Sequence, residues 1–464
     1  MLALIKNKTT VSGLNLEQRN AIASALTITN PAFAQAKQQG RPTSWIDPTI
    51  PYYEFIGKDS IQVPIGYTAE LMKLFPFKSS EVNDNRFEAL PMNNIAFRGS
   101  LRPYQQQVID SMADRTIGVV SAPTGAGKSV IIVNKIVVSR VPTLILVNTL
   151  ELMKQMEDNI VKFTNLSKKD IGVVGDSQWN IKPVTVGTLQ TLTRLNEDKL
   201  KILNKTFGQI ITDEVHIIGA ETYYEAVSKL DAKYKWGFSA TPERADGLTP
   251  VIFWTTGPII HEVKLSDIKD KLEIPTIRQI KTDYYFPLFS TDEYTEMVND
   301  LCEDEDRNTL ILETVEEYKT KQIVILTQRV THAIYMAQEL CKRGHKAAYL
   351  VSRLPNPKKP GKHKIMKKSD RMDVIDSLNS GKTRIVCSTY GLFSTGIDIS
   401  SLEILFIAAP TKSKIKLKQS LGRIFRKADF KKEPVVVDFI DMKVDLLKYQ
   451  AYARNRIYKY LEEI

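Results

Sequence analysis

The sequence predicts two α/β domains, each built on a parallel β-sheet, preceded by a small α+β domain. Short apolar runs alternate with helical stretches in two separate parts of the chain, which is typical of parallel sheets covered by helices. The first 95 residues lack this alternation. The runs predicted as strands are 117–121, 143–148, 184–187, 209–212 and 235–239 in the first domain and 322–327, 347–351, 384–388, 403–408 and 434–439 in the second.

Changes in composition and in the pattern of apolar residues set the predicted domain boundaries. The N-terminal part is rich in prolines and aromatic residues, with a strand predicted at 60–65 and a helix at 68–75. A charged, mixed stretch separates the two alternating parts of the chain. The predicted divisions are an accessory α+β domain (1–95), a first α/β domain (96–262), an interdomain connection (263–300), a second α/β domain (301–442) and a C-terminal helix (443–464). The aromatic residues of 1–95 either form the core of that domain or stack on DNA bases, and both interpretations stay open.

Composition and charge limit the class of protein. The 464 residues are 43% hydrophobic and 25% charged, as in globular domains with sizeable cores. No apolar run approaches the roughly 18 residues of a membrane helix, and the N-terminus lacks a secretory signal, so we expect a cytoplasmic protein. Cys302, Cys341 and Cys387 have no metal-ligand spacing, which argues against zinc. The net charge of +11 favours a polyanionic partner such as nucleic acid.

A phosphate-binding loop is predicted at 121–129. The string Ser-Ala-Pro-Thr-Gly-Ala-Gly-Lys-Ser follows a predicted strand and precedes an apolar helical stretch, which is the context that such a loop requires. Its glycines let backbone N–H groups point at phosphate oxygens, and the helix N-terminus favours an anion. Lys128 would reach the β- and γ-phosphates of ATP, and Ser129 would hold Mg²⁺. The other predicted nucleotide contacts in this loop are Thr124, Gly125, Ala126 and Gly127.

A second predicted strand ends in two carboxylates, Asp213 and Glu214. Because parallel sheets present residues to a nucleotide at strand carboxyl ends, we predict that Asp213 holds Mg²⁺ and that Glu214 accepts a proton from the attacking water. His216 is predicted to couple events at the ATP site to nucleic-acid binding. The hydroxyls of Ser239 and Thr241, after a further strand, would bond to the acidic pair or to His216 and sense the nucleotide state.

The order of these strings resembles that of the superfamily-two helicases of the DExH type. Leu-Arg-Pro-Tyr-Gln at 101–105 is followed by the phosphate loop, Asp-Glu-Val-His and Ser-Ala-Thr, and the resemblance spans about residues 100–440. It implies two tandem RecA-like domains and ATP hydrolysis with Mg²⁺. It also implies that Gln105 contacts the adenine, with Arg102 beside the nucleotide. Ala122 stands where the general loop pattern has glycine, an exchange common in one large helicase group.

The second domain continues this resemblance. The string at 388–398 is similar to the family's fifth motif, and Gln-Ser-Leu-Gly-Arg-Ile-Phe-Arg at 419–426 is similar to the sixth. The two arginines of the sixth motif are three residues apart, so on a helix they share one face. We favour Arg426 as the arginine finger, with Arg423 also near the γ-phosphate. The implied site residues are Gly396 and Asp398 for the nucleotide and Gln419, Arg423 and Arg426 for catalysis.

Candidate nucleic-acid contacts lie where the family's strand-contacting motifs lie. A motor that tolerates any base sequence must hold phosphates, which carry no sequence information. A basic segment at 353–371 has eight Lys or Arg residues against one Asp, and two interpretations of it stay open: a solvated insertion, or an electrostatic hold on a duplex or junction arm. The predicted contacts are Asn148, Thr149, Thr188 and Gln190 in the first domain and Gln328, Arg329 and Thr389 in the second.

Finer strings are similar to those of phage branch-migration helicases of the UvsW type. They include Tyr-Gly-Leu-Phe-Ser-Thr-Gly-Ile at 390–397 and Lys-Ser-Lys-Ile at 412–415, whereas the basic segment departs from that type. We therefore expect a DNA helicase that remodels forked or branched DNA in replication, recombination or repair, in the cytoplasm of a phage-infected host. A duplex-DNA translocase with little unwinding and an RNA helicase stay open as alternatives. Because two domains complete one ATP site, a monomer suffices.

Overall fold

The chain divides into two compact units, Met1–Lys264 and Leu265–Ile464. Three predicted site residues, Gly396, Asp398 and Arg426, lie outside the described residues, as does 356–362 within the basic segment. The computed structural model describes residues 1–75, 77–244, 246–287, 290, 293–355, 363–394, 399, 402–411, 413–425 and 433–462.

The first unit begins with a five-stranded sheet and three helices. Its elements are β1 (Leu2–Ile5), β2 (Lys8–Ser12), α1 (Leu16–Ala25), β3 (Thr27–Thr29), α2 (Pro31–Gln38), β4 (Thr49–Pro51), β5 (Glu54–Ile56), β6 (Ser60–Pro64), α3 (Thr68–Leu74) and β7 (Val82–Asp84). The sheet order is β5-β6-β2-β1-β7, and only the β1–β7 pair is parallel. Buried and half-buried residues alternate along β2, as expected when one face of a sheet covers a core.

The rest of the first unit is a parallel sheet with helices. Its elements are α4 (Pro103–Ser111), β8 (Ile117–Ser121), α5 (Lys128–Ser139), β9 (Thr143–Val147), α6 (Leu150–Phe163), β10 (Ile171–Gly175), β11 (Gln178–Asn180), β12 (Val184–Thr188), α7 (Leu189–Leu192), α8 (Glu197–Thr206), β13 (Gln209–Asp213), α9 (Glu221–Ser228), β14 (Tyr234–Ser239), α10 (Thr249–Thr256) and β15 (Ile259–Glu262). The order is β11-β10-β12-β9-β13-β14-β8-β15, and only the β10–β11 pair is antiparallel. Every residue of β9 and β13 is buried, as in sheets covered on both faces.

The N-terminal sheet shares a hydrophobic core with helices of the parallel sheet. Tyr52, which is 4% exposed, lies edge-on to Tyr224 of α9, with ring centroids 4.9 Å apart, and 5.4 Å from the ring of Trp254 in α10. A Cβ atom added to Gly66 would overlap the backbone carbonyl of Phe253, so only glycine permits this approach. The N-terminal part is therefore packed firmly on α9 and α10.

The second unit holds a six-stranded sheet. Its elements are β16 (Thr276–Lys281), α11 (Tyr294–Glu303), α12 (Glu305–Glu316), β17 (Ile323–Thr327), α13 (Val330–Lys342), β18 (Ala347–Leu350), β19 (Arg353–Pro355), β20 (His363–Ile365), α14 (Lys368–Asn379), β21 (Ile385–Thr389), α15 (Tyr390–Ser394), β22 (Ile404–Ile407), α16 (Lys414–Ile424), β23 (Val435–Ile440) and α17 (Asp445–Glu462). The sheet order is β16-β23-β22-β17-β21-β18, and all its pairs are parallel. Among the described helices, none combines the length and apolar character needed to cross a bilayer.

The predicted fold class, two parallel-sheet α/β domains after an α+β part, is confirmed. Each predicted strand of the two sheets coincides with an observed strand to within one residue at either end. Of the described strands in the two parallel sheets, four escaped prediction: β10, β11, β15 and β16. β10 is interrupted by two glycines, and β16 is an exposed edge strand without an apolar run. β16 lies in the stretch predicted as an interdomain connection, where it pairs with β23 of the second sheet.

A buried ion pair joins α12 to the end of β23 in the second unit. The Arg307 guanidinium donates from Nε to Asp441 Oδ1 at 2.7 Å and from Nη1 to the Ala408 carbonyl at 2.5 Å, and both charged side chains are almost fully buried. Thr282 donates a further hydrogen bond of 2.6 Å to the same carboxylate. Since burial removes the hydration of both charges, each depends on the other for compensation.

We expect Arg307→Ala to lower the free energy of unfolding of the second unit by about 3–5 kcal/mol, because it leaves the Asp441 carboxylate buried without a counter-charge. The matched control is Arg278→Ala, which removes a half-exposed pair with Glu317 and should cost at most about 1 kcal/mol. Native-state hydrogen exchange of β22 and β23 measures both. Equal protection in the two variants would show that the buried pair is not stabilising.

Candidate active site

The predicted phosphate loop connects β8 to α5. It begins after Ser121 and ends at Gly127, the residue that caps the helix beginning at Lys128. Gly125 and Gly127 have φ angles of 91° and 75°, a left-handed region that favours glycine. A Cβ atom on Gly127 would also lie 2.6 Å from Gln105 Nε2. Thr124 and Ala126 lie in the loop, and Ser129 lies in the first turn of α5. Backbone conformation and close packing therefore both require glycine at 127.

The acidic pair lies beside this loop because β13, β14 and β8 are neighbours in the sheet. Lys128 Nζ lies 3.5 Å from Glu214 Oε1, and His216 Nδ1 lies 3.4 Å from Glu214 Oε2. The backbone N–H of Glu214 donates to Asp213 Oδ1 at 3.0 Å. Glu214 adopts the left-handed φ of 52°, unusual for a residue with a side chain. The structure thus brings together four residues that the sequence assigned to one site.

The two carboxylates have opposite electrostatic surroundings. Burial alone would raise the pKa of Glu214, but the Lys128 ammonium and the hydrogen bond from His216 outweigh it and hold that pKa below its usual range. Burial and the neighbouring Glu214 charge raise the pKa of Asp213. Glu214 is therefore ionised at neutral pH, as a proton acceptor must be, and its side chain stays 23% exposed, so water can approach it.

Ser239 and Thr241 meet the acidic pair in different ways. The Ser239 hydroxyl lies 3.0 Å from His216 Nδ1 and donates to Glu214 Oε2 at 3.5 Å. Thr241 donates its backbone N–H to Ser239 Oγ at 3.1 Å. Its buried hydroxyl, predicted to bond to the acidic pair or His216, has no hydrogen-bond partner among the described residues. The prediction for that hydroxyl is therefore wrong in this conformation: the strand end turns the amide of Thr241, not its side chain, toward the site.

Arg244 is a residue of this site that the sequence reasoning missed. Its Nη1 donates to the His216 carbonyl at 2.9 Å, and its guanidinium forms an ion pair with Asp246. The Arg244 backbone N–H donates to Thr249 Oγ1, in the first turn of α10, at 2.7 Å. Arg244 therefore connects the loop that carries His216 to α10. The signal available in the sequence was an arginine five residues after Ser239.

Gln105 and Arg102 lie against the phosphate loop. Gln105, which is 3% exposed, donates from Nε2 to the Ala126 carbonyl at 2.9 Å and accepts at Oε1 from the Arg102 backbone N–H at 3.0 Å. The Tyr104 hydroxyl donates to the same Ala126 carbonyl at 3.0 Å, and Arg102 Nη1 donates to the Tyr104 hydroxyl. In this conformation Gln105 supports the loop; the adenine contact implied by the family resemblance stays a prediction.

The predicted nucleic-acid contacts of the first unit lie at strand ends. Thr149 caps α6 by accepting the Leu152 N–H at 3.2 Å, and Thr188 caps α7 by accepting the Thr191 N–H at 3.3 Å. Both hydroxyls therefore stabilise helix starts. The other two, Asn148 and Gln190, lie beside these caps, and the second of them is exposed.

The corresponding residues of the second unit make contacts with α11. Gln328 Nε2 donates to the Pro410 carbonyl and to the Tyr294 hydroxyl. Arg329 donates from Nε to Asn299 Oδ1 at 2.6 Å and from Nη2 to the Thr295 carbonyl at 3.3 Å, and both acceptors are neutral. Thr389 ends β21.

The sixth-motif residues lie on α16. Arg423 is 9% exposed, and its guanidinium lies 5.6 Å from the ring centroid of Phe393 in α15. Gln419 is half-buried on the same helix. Arg426 lies outside the described residues, so its assignment as the finger stays a prediction.

Gln105→Ala is expected to weaken binding of inorganic tripolyphosphate as well as of ATP, because the Gln105 amide is bonded to the phosphate loop. Loss of one hydrogen bond of about 1 kcal/mol corresponds to about fivefold in affinity. Equilibrium titrations with both ligands measure the effect, and Gln106→Ala, an exposed neighbour bonded to Asp110, is the control. If only ATP binding weakened, Gln105 would be reading the base and not supporting the loop.

Comparisons with known proteins cover both units. The family model for the type III restriction enzyme res subunit matches residues 98–244, and that for the helicase conserved C-terminal domain matches 306–428. The chain is 28% identical to a putative ATP-dependent RNA helicase of Acanthamoeba polyphaga mimivirus, covering 80% of this chain and 69% of that protein. It is 24% identical to the DNA 3'-5' translocase XPB2 of Sulfurisphaera tokodaii, covering 80% and 88%. It is 25% identical to the ATP-dependent DNA helicase uvsW of Enterobacteria phage T4, covering 70% and 65%.

Solved structures show the same architecture. The S. cerevisiae Dbp5 structure with RNA and ADP BeF3 aligns with a TM-score of 0.53 at 14% identity, covering 78% of this chain and 93% of that one. The helicase domain of Pyrococcus furiosus Hef aligns with a TM-score of 0.51 at 14% identity, covering 76% and 98%. Each is a likeness of fold. With both family models matched in chain order and the predicted ATP-site motifs of the first unit assembled at one sheet edge, this chain belongs to the superfamily-two helicases, as an ATP-dependent helicase or translocase enzyme.

Proposed function

We propose that this helicase is a DNA motor that remodels forked or branched DNA, with ATP hydrolysed at the edge of the first parallel sheet. The proposal of ATP hydrolysis rests on one observation. Lys128 and His216 both contact one ionised carboxylate, Glu214, beside the phosphate loop. The branched-DNA part is supported by the strings shared with the UvsW type and by the 25% identity to a relative named as a DNA helicase.

Each side chain of the site has a distinct proposed role. Lys128 neutralises the β- and γ-phosphates, and Glu214 takes the proton of the attacking water. His216 and Ser239, hydrogen-bonded to each other, report the state of Glu214 to the rest of the unit. Arg423 and Arg426 stabilise charge that develops on the transferred phosphoryl group, as arginine fingers do.

Ser129 and Asp213 would hold Mg²⁺. A hydroxyl and a carboxylate are the oxygen ligands that this cation takes, along with phosphate oxygens and water. The raised pKa of Asp213 marks a negative charge held unfavourably beside Glu214, which a nearby cation would relieve. When bound, Mg²⁺ would neutralise negative charge that develops on the phosphates.

Glu214→Gln is expected to bind ATP but to lower its turnover by about 10²–10⁴-fold, the usual contribution of a positioned base. The amide keeps the size of the side chain but cannot accept the proton. Steady-state ATPase assays and nucleotide titration separate the two effects. Glu243→Gln, an exposed position after β14, is the control and should retain turnover. Normal turnover in Glu214→Gln would remove Glu214 as the base.

The substrate is tested by the ATPase rate with single-stranded DNA, duplex DNA, a four-way junction and RNA, all of matched length. We expect the largest stimulation with the junction, followed by junction unwinding in a branch-migration assay. Stimulation by duplex without strand separation would favour the translocase alternative. Stimulation chiefly by RNA would favour the RNA helicase, an alternative supported by the name of the mimivirus relative. Either result would contradict the proposed substrate while leaving the motor intact.

A further inference from the structure

The excess positive charge of this chain is concentrated in one short segment. Residues 353–371 carry eight Lys or Arg residues and one Asp, a net charge of +7 out of +11 for the whole chain. The segment contains no Phe, Trp or Tyr. A polyanion would therefore meet most of the chain's charge excess here, without aromatic rings for base stacking.

The described ends of this segment form an antiparallel hairpin, β19–β20, fixed to the core of the second unit. The pairing register sets Arg353 opposite Ile365 and Leu354 opposite Lys364. Leu354 and Met366 pack into the hydrophobic core, and the Met366 N–H donates to the Ser352 carbonyl at 3.2 Å. The base of the hairpin is thus anchored in the protein.

The outer face of the hairpin is basic. Because side chains alternate along a strand and opposite residues share a face, Arg353, Ile365 and Lys367 point away from Leu354 and Met366. Ile365 is 70% exposed, and Arg353 and Lys367 are exposed on this face, whereas Lys364, opposite Leu354, lies on the inner face. Within the described part of the chain, no ion pair compensates Arg353 or Lys367.

The acidic residues beside the hairpin lie on its inner side. Asp370 and Asp373 of α14 line the groove beneath it, together with Leu354 and Met366. The outer face therefore keeps its positive charge.

The hairpin extends a row of predicted nucleic-acid contacts. Strands β17, β21 and β18 are adjacent in the sheet and parallel, so their carboxyl ends lie at one edge. Gln328 and Arg329 follow β17, Thr389 ends β21, and the hairpin follows β18. Three successive strands thus present polar or basic groups at the same edge of the second sheet.

We propose that the outer face of the β19–β20 hairpin binds the phosphate backbone of duplex DNA; this inference rests on the proposed function. Lysine and arginine without neighbouring aromatic rings contact phosphates, independently of base sequence. A three-residue strand spans about 10 Å. Over that length a duplex presents about six phosphate charges and a single strand about three. A compact cluster of cations on a rigid base therefore gains more from a duplex.

The test is the salt dependence of equilibrium binding to a short duplex and to a single strand of the same length, without ATP. The variant Arg353→Gln/Lys367→Gln removes the two described cations of the outer face. Its matched control, Arg343→Gln/Lys382→Gln, makes the same charge change at exposed positions of the same unit, near the amino ends of β18 and β21. The control separates a local contact from a change in net charge.

We expect the hairpin variant to flatten the slope of log K against log salt on duplex by up to about 1.8, since each of the two lost phosphate contacts is worth about 0.9. Between 50 and 200 mM salt the wild-type affinity would then fall by about 12-fold more than that of the variant. The control should keep the wild-type slope. Circular dichroism confirms that both variants are folded.

Three outcomes would overturn the inference: an unchanged slope in the hairpin variant, equal flattening in the control, or equal flattening on duplex and single strand. The ATPase assay distinguishes this failure from that of the proposed function. At saturating duplex the hairpin variant should keep the wild-type turnover rate, because these side chains do not belong to the ATP site. A wild-type protein whose ATPase ignores DNA would instead contradict the proposed function, whatever the slope.

Discussion

The hydrogen-bond register between three parallel strands fixes the geometry of the candidate ATP site. Ser239 of β14 pairs with Ser121 of β8, and Asp213 of β13 pairs with Phe238 of β14. Strands in this register end at the same edge, so segments far apart in sequence meet there. Because side chains alternate between faces, a slip of one residue would turn each apolar set from the core to the opposite face. The buried apolar residues therefore hold the register, and the register brings Lys128 within reach of Glu214.

Bringing these residues together has an electrostatic cost, which differs between the two carboxylates Asp213 and Glu214. Asp213 is buried and Glu214 is partly exposed; Lys128 and His216 both contact Glu214, whereas Asp213 accepts the backbone N–H of its neighbour. The left-handed backbone at Glu214 adds strain of about 1–3 kcal/mol. Backbone strain at Glu214 and weakly compensated charge at Asp213 are tolerated because the surrounding sheet holds both residues in place. A phosphate bound by Lys128 would compete with Glu214 for the same ammonium, which makes Glu214 sensitive to an occupied nucleotide site.

The sequence predicted what depends on local pattern and missed what depends on tertiary contact. Buried apolar runs located β9 and β13 because both faces of these strands are covered, whereas the exposed edge strand β16 has no such run. Arg244 could not be found in this way, since its partner is a backbone carbonyl 28 residues earlier. A threonine between a strand and a helix is typical both of a nucleic-acid contact and of a helix cap, so the sequence could not distinguish the two at Thr149 and Thr188. In the structure both hydroxyls cap helices.

In the second unit, three donors hold three successive carbonyls between β22 and α16. Arg307 of α12 bonds to the carbonyl of Ala408, the Tyr390 hydroxyl of α15 bonds to that of Ala409 at 2.8 Å, and Gln328 bonds to that of Pro410. Isolated carbonyls in a buried connection would be costly, so each donor stabilises the path of the chain into the helix that bears Arg423. Two predicted nucleic-acid contacts lie close to this segment. Gln328, which directly follows β17, bonds to it, and Thr389 directly precedes Tyr390, which also bonds to it. A shift at either strand end would therefore disturb the hydrogen bonds that hold 408–410.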